Sequence, residues 1–435
     1  MPDRDESPAV RPETAPPAVA RTVTLFAAAA FASSVSMRVC DPLLPEFART
    51  FSVGLPAAAT TITGFTVSYG VLQLAIGPLG DRVGKYAVVR MAALLGAVAS
   101  ILCALAPGLD ALIAARALAG GISGAIIPVA LAWIGDEVPF SDRQPVLARV
   151  MSGSLLGMVS GQLVGGAFVD TLGWRWAFVA LATLFAAVGV LLSRGARGRA
   201  SPAVPADRDT TATATGTGTA AGAGARTGPS TSRSLEAPVG LLRRYADIAR
   251  PPWARRILAM VVVEGMLMFG ALAFVPSALH DRFGLPLWQA GSVAAAVGAG
   301  GFAYTLMARP LVGRIGPRGI AIAGASILAA GLSLVALAPH WSVAAVGCLL
   351  MGLGFYGFHN TLQVHGTQLS TSHRGMGMAL FALGLFVGQS TGVALVSLLV
   401  ARVGFAPAFL GAALAFLLLG VSFTRALARR GAVPA

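Results

Sequence analysis

The chain has 435 residues, 56% of them hydrophobic and only 11% charged. A soluble domain carries about 25% charged residues, so this sequence lacks the polar surface to face water, and segments such as 177–192 offer no polar helix face. The net charge of +14 would suggest nucleic acid in a soluble protein, but its placement along this chain marks membrane topology, and no nucleic-acid partner is expected.

About 20 apolar residues cross 30 Å of hydrocarbon at 1.5 Å per residue. Twelve such spans are predicted, at 22–45, 57–79, 87–106, 110–134, 147–169, 175–193, 257–279, 287–308, 319–338, 342–366, 375–400 and 403–424. Residues 1–20, rich in proline and acidic groups, read as a disordered N-terminal segment. Residues 21–32 run basic, apolar, then alanine-rich, and are read as the start of an uncleaved first span, since its removal would leave an odd number of spans. Residues 21–194 hold six spans and 254–430 the other six. Between them, 195–253 is a largely disordered linker whose run TATATGTGTAAGAGARTG cannot bury enough apolar surface to offset its ordering entropy. Near its end, Leu241, Leu242, Tyr245 and Ile248 recur at helical spacing beside Arg243, Arg244 and Arg250, which predicts an amphipathic helix on the anionic inner leaflet.

With both termini cytoplasmic, 26 of the 32 Lys and Arg fall in or beside cytoplasmic segments, as a multi-pass protein of the bacterial inner membrane requires. Trp174, Trp176, Trp288 and Trp341 sit near span ends as interfacial anchors. Cys40, Cys103 and Cys348 have no metal-ligand spacing and read as packing residues; no metal site is expected.

The two groups of six spans resemble each other. Span five contains Gly157-x-x-x-Gly161-Gln162-x-x-Gly165-Gly166, and span eleven, 227 residues further on, contains Gly384-x-x-x-Gly388-Gln389-x-x-Gly392. Arg82-Val-Gly84-Lys85 after span two matches Arg314-Ile-Gly316-Pro-Arg318 after span eight. Glycines four apart make a groove for close helix packing. The expected fold is an all-α membrane protein of twelve helices in two pseudo-symmetric six-helix bundles.

Gly77-Pro-Leu-Gly80-Asp81-Arg82-Val-Gly84-Lys85 resembles the signature loop of the major facilitator superfamily. In that family the loop forms an ion-pair network that closes the bundles on the cytoplasmic side. The resemblance gives this gating role to Gly77, Asp81, Arg82, Gly84 and Lys85, with Arg314 at the matching place in the second half. The span-five motif resembles that of the antiporter branch, with Gln162 where a proline usually follows the second glycine. Arg116-Ala-Leu-Ala-Gly120-Gly121 resembles the fourth-span motif, whose buried arginine is linked to proton transfer, and Arg38-Val-Cys-Asp41-Pro42 resembles the first-span pattern of drug and sugar exporters.

Ionisable residues inside a span are costly and so are functional candidates. Six are found: Arg38 and Asp41 in span one, Arg116 in span four, Glu264 in span seven, His359 and His365 in span ten. In the resembled family these four helices line the central cavity. At 1.5 Å per residue, Arg38, Asp41 and Arg116 fall roughly 7–11 Å to one side of the midplane, and Glu264 and His359 roughly 6–8 Å to the other. The first three are expected to cluster; the last two suit a carboxylate–imidazole pair, although His359 alternatively bonds a backbone carbonyl. A proton-coupled carrier needs a carboxyl group that changes protonation between conformations, and an adjacent arginine holds a carboxyl group ionised. Glu264, with no predicted arginine neighbour, is the first candidate and Asp41 the second. Asn360, Gln363 and Gln73 are candidate cavity contacts, while His365 is expected to be solvated. Met266, Met268, Phe269, Phe355, Tyr356 and Phe358 would give soft, aromatic walls.

No GxxxxGK[ST] loop is present, so a proton gradient rather than a cofactor is the expected energy source. The leading expectation is a monomeric, proton-coupled exporter of a small drug, metabolite or sugar by alternating access. A proton-coupled nutrient importer stays open, as, remotely, does a non-transporting sensor; no enzyme site stands out.

Overall fold

The computed structural model describes residues 17–139, 142–197, 238–370 and 373–431. The predicted N-terminal segment up to residue 16 and linker residues 198–237 lie outside the described residues, as do the surroundings of Gly77 and the side chains of Pro78 and Asp81. The described chain is helical: α1 Pro17–Arg38, α2 Leu44–Thr50, α3 Leu55–Val83, α4 Lys85–Ala104, α5 Leu109–Ser123, α6 Ile126–Glu137, α7 Arg143–Thr171, α8 Trp174–Arg197, α9 Pro238–Ala249, α10 Pro252–Leu272, α11 Val275–Phe283, α12 Leu287–Leu337, α13 Trp341–Gly366, α14 Arg374–Val403 and α15 Phe405–Gly431.

Among the described residues, eleven segments are long and apolar enough to cross a bilayer. One of them, α12, has 51 residues and would extend roughly 75 Å if straight, more than twice the hydrocarbon thickness. Gly316 divides it, with φ 67° and ψ 174°, a conformation that needs the absence of a Cβ. The twelve spans follow, and α12 holds spans eight and nine. The loop predicted over 309–318 is therefore almost entirely helical, because one glycine suffices to turn the chain. Gly84, its counterpart in the first half, makes the same kind of turn at φ 89°.

Spans one, four and seven are each broken: α1 from α2, α5 from α6, and α10 from α11. At each break the backbone tightens to i to i+3 bonds: Asp41 N to Arg38 O at 3.2 Å, Ala125 N to Ile122 O at 3.3 Å, and Phe274 N to Ala271 O at 3.0 Å. Pro45, Pro128 and Pro276 lie just beyond the breaks, where a proline removes a donor and crowds the carbonyl four residues back. Span ten contains no proline and is continuous as α13.

The glycine grooves do the packing that their spacing implies. A Cβ on Gly157, Gly161 or Gly165 of α7 would come within 3.0 Å of a backbone carbonyl of span one, at Phe31, Val35 and Val39. In the second half Gly388 and Gly392 of α14 approach Val262 and Met266 of α10 equally closely, and Gly384 meets the Val261 side chain. Gly166 faces the other way, onto Leu287 of the opposite half.

The loops bearing Arg82 and Lys85, Arg143, and Arg314 and Arg318 lie at one end of the bundle, the basic face. The halves meet from mid-span to the opposite face. There Thr66 and Ser390 hydroxyls are 2.6 Å apart, the Tyr69 and Phe386 rings 4.5 Å apart, and Asp170 accepts from the Trp288 backbone N–H at 2.7 Å. At the basic face, α9 lies against α10 and α14. Its Tyr245 and Ile248 are buried, and the Tyr245 hydroxyl donates to the Leu74 carbonyl at 3.2 Å. Of the apolar face expected to meet the leaflet, Tyr245 and Ile248 thus pack on protein and Leu242 is exposed, while the side chain of Leu241 lies outside the described residues. Trp174 also departs from expectation. Only 3% exposed, it packs edge-on against Phe47, whereas Trp176 and Trp288 are exposed. The three cysteines are free and buried.

Candidate functional site

The break in span one sets Arg38 at the end of α1 and Asp41 in the turn that follows, both at most 1% exposed. Asp41 Oδ2 accepts from Gln162 Nε2 at 2.8 Å, and Arg38 Nη1 lies 3.6 Å from the same oxygen, an ion pair beyond hydrogen-bond reach. Gln162, read from the sequence as part of a packing motif, is the carboxylate's direct donor. The signal for this was a long polar side chain on a helix face otherwise made mostly of small residues.

Arg116 does not join Asp41 by a hydrogen bond. It donates to the Ser36 carbonyl at 2.9 Å and lies 4.1 Å over the Phe65 ring. Ser36 belongs to the last turn of α1, where the break leaves carbonyls without their helical partners. The reverse also holds, since the Ser33 hydroxyl of span one donates to the Ser123 carbonyl at the break in span four, at 3.0 Å. Irregular backbone at membrane depth persists only when such groups find partners; here each broken helix supplies the other's.

In the second half Glu264 is fully buried, with Oε2 3.1 Å from His359 Nδ1. His359 is 13% exposed and stacks on Phe355 at 5.1 Å and 22°. Asn360 lies beside the Tyr304 phenol. Gln73 and Gln363 are half-buried, nearer the basic face. Gln389 occupies the place of Gln162 in the repeat, but Met268 stands where Asp41 does, and neither atom of the Gln389 amide has a hydrogen-bond partner.

Two phenylalanines join these groups. The Arg38 guanidinium carbon lies 4.4 Å from the Phe269 ring centroid, Phe269 meets Phe355 edge-on at 5.1 Å, and Phe355 carries the His359 ring. A cavity of about 30 Å³ lies between the halves at this point, lined among others by Arg38, Met158, Gln162, Met268 and Tyr356. Phe358 is turned away, against Phe416 and Phe423. His365, expected to be solvated, is half-buried with its ring against Trp253 and Phe423, because α10 and α15 close over that end of span ten. Among the residues expected to form the gate, Lys85 pairs with Asp136 at the end of span four and Arg82 and Arg314 are exposed; nearby, Arg318 donates to the Leu427 carbonyl at 3.1 Å. No group of three metal-ligating side chains occurs among the described residues.

A family model described as Major Facilitator Superfamily matches residues 26–369. The chain belongs to that superfamily. As a superfamily member it is a multi-pass membrane protein and a secondary transporter. Its relatives include the uncharacterized MFS-type transporter YwfA of Bacillus subtilis, 25% identical over 86% of this chain and 84% of that one. A multidrug resistance protein B homolog of Mycobacterium tuberculosis is 26% identical over 87% of this chain and 76% of its own length. The superfamily fold recurs in solved structures. A bacterial homolog of the human lysosomal transporter Spinster, inward-facing and unoccupied, has a TM-score of 0.67 at 15% identity, covering 94% of this chain and 96% of that one. A POT family transporter in complex with 5-aminolevulinic acid has a TM-score of 0.69 at 14% identity, covering 93% and 95%.

Proposed function

We propose that this superfamily member is a proton-coupled exporter of small molecules, an antiporter in the bacterial inner membrane with its basic face and both termini in the cytoplasm. The observation that carries the reading is the Glu264–His359 pair, a carboxyl group with no exposure to solvent held 3.1 Å from an imidazole that is itself 13% exposed and stacked on the cavity-lining Phe355. A group so placed exchanges a proton only when the bundle opens around it, which is the condition for coupling one flux to another. His359 hands the proton between cavity and carboxyl group, and Asp41 stays engaged by Gln162 and Arg38. Contacts concentrated away from the basic face suit a carrier that loads from the cytoplasm. The likeness to a multidrug resistance protein homolog supports outward transport. The gradient alone supplies the energy, with no bound cofactor, and the carrier works as a monomer in the bilayer.

The test uses purified protein in lipid vesicles with an imposed pH gradient and a panel of radiolabelled drug-like compounds and metabolites. Accumulation of a compound in the acidic compartment is expected, lost in Glu264→Gln while exchange of labelled for unlabelled compound continues. Accumulation in the alkaline compartment would identify an importer. Undiminished accumulation by Glu264→Gln would remove the proton role from that residue.

A further inference from the structure

The first half buries two guanidinium groups, Arg38 and Arg116, with one carboxylate, Asp41, beside them. Arg116 has the Ser36 carbonyl and the Phe65 face. Arg38 has much less. None of its three nitrogens has a hydrogen-bond partner, although the side chain is 1% exposed, and its nearest carboxylate oxygen, 3.6 Å away, already accepts from Gln162. Glu264 offers no second counterion, being engaged by His359. A buried cation with five unmet donors is expensive unless something else completes it.

The geometry indicates what that is. The Arg38 guanidinium carbon lies 4.4 Å from the Phe269 ring centroid, and its donors form a planar fork that matches a carboxylate with two parallel bonds. The cavity beside it is walled by Met158, Met268, Phe269, Phe355 and Tyr356, which suit a flat apolar body and provide no further cation. At about 30 Å³ it holds little more than a water. An aromatic body therefore enters as the halves part, and the methionines, each with three rotatable bonds, provide the give.

Resting on the exporter reading, we infer that Arg38 is the receptor for the carboxylate of an aromatic monocarboxylic acid, and that organic acids of this class are the exported substrate. Asp41 and Gln162 then act as positioning residues that hold the guanidinium edge toward the cavity. Export of an anion against entry of a proton moves positive charge inward in both legs, so an inside-negative voltage assists each.

Binding tests this without any gradient. The full chain in lipid nanodiscs is titrated at pH 7 with 1-naphthoate, 1-naphthamide and 1-naphthylmethylamine, followed calorimetrically. The acid is expected to bind about tenfold or more tighter than the amide, the margin of a charge-assisted bidentate contact, with the amine weakest. Arg38→Gln should erase the preference for acid while holding amide affinity within about threefold. Arg38→Lys, which keeps the charge but loses the fork, should lose most of the preference. Equal binding of acid and amide, preference for the amine, no saturable binding of the acid, or a preference that survives Arg38→Gln each overturns the assignment. Since neither protons nor direction enters the assay, these outcomes leave the exporter reading standing, and its failure in vesicles leaves the binding result standing.

Discussion

Arg38 of the first half lies over the Phe269 ring of the second, 4.4 Å from guanidinium carbon to ring centroid. A cation–π contact removed from water contributes about 2 kcal/mol, and this one joins two bundles that must separate for a solute to pass. It therefore acts on the conformational equilibrium as well as on local packing.

Phe269→Leu keeps the apolar volume and removes the ring. Losing about 2 kcal/mol from the closed side shifts the equilibrium roughly 30-fold. Cys40, buried beside Asp41, reports the change. In a Cys103→Ser, Cys348→Ser background, its labelling by N-ethylmaleimide should accelerate at least about tenfold on adding Phe269→Leu. An unchanged labelling rate would mean that the contact does not hold the halves together.

Glu264 and His359 should behave as one unit. His359→Phe strands the Glu264 carboxyl group in an apolar interior, costing about 1–3 kcal/mol, whereas removing both polar partners costs less than the sum of the single changes. Thermal unfolding of wild type, Glu264→Leu, His359→Phe and the double variant measures the coupling. Strict additivity would show that the 3.1 Å contact contributes nothing.

Glycines that look alike in the sequence should respond differently. Gly165→Ala and Gly388→Ala each push a methyl group against a neighbouring backbone carbonyl and should cost about 1–3 kcal/mol. Gly135 and Gly411, with nothing within 4 Å of the added carbon, should tolerate alanine or gain up to about 1 kcal/mol from reduced chain entropy. Melting temperatures of the four variants in detergent decide it, the first two falling by several degrees.

The Tyr245 strap should carry a pH signature. Burial pushes its phenol above the ordinary value near 10, so folding favours the protonated donor. A group whose pKa is raised by folding stabilises below its unfolded pKa and loses that contribution as pH climbs through the folded one. Wild type should therefore exceed Tyr245→Phe in thermal stability at pH 8, by the worth of one hydrogen bond, about 0.5–1.5 kcal/mol, and the two should converge above about pH 10. Parallel curves across that range would exclude the phenol as the source.

Hydropathy and the 227-residue repeat made the twelve spans and their pairing legible, because lipid imposes length on every crossing and the glycine spacing imposes contact. Depth along the spans brought Glu264 and His359 to the same level, where the structure has them touching. The breaks in spans one, four and seven were not read, although Pro45, Pro128 and Pro276 announce them. Without those breaks Arg116 had no evident partner other than Asp41, since a backbone carbonyl leaves no mark in a sequence until its helix is interrupted. Gln162 was misplaced for a related reason, because a residue inside a packing motif was credited only with packing. Trp174 and His365 were assigned to the surface by their distance from mid-span, yet neighbouring helices cover both.

The exchange between spans one and four, with Arg116 capping Ser36 and Ser33 capping Ser123, ties their shapes together. Straightening either helix alone would strand a donor that belongs to the other, so the two bend as a single articulated joint. Arg38 and Asp41 sit at its elbow. Any motion that reshapes the joint re-aims the guanidinium at the same time, which makes the first half's ionic group a moving part of the carrier.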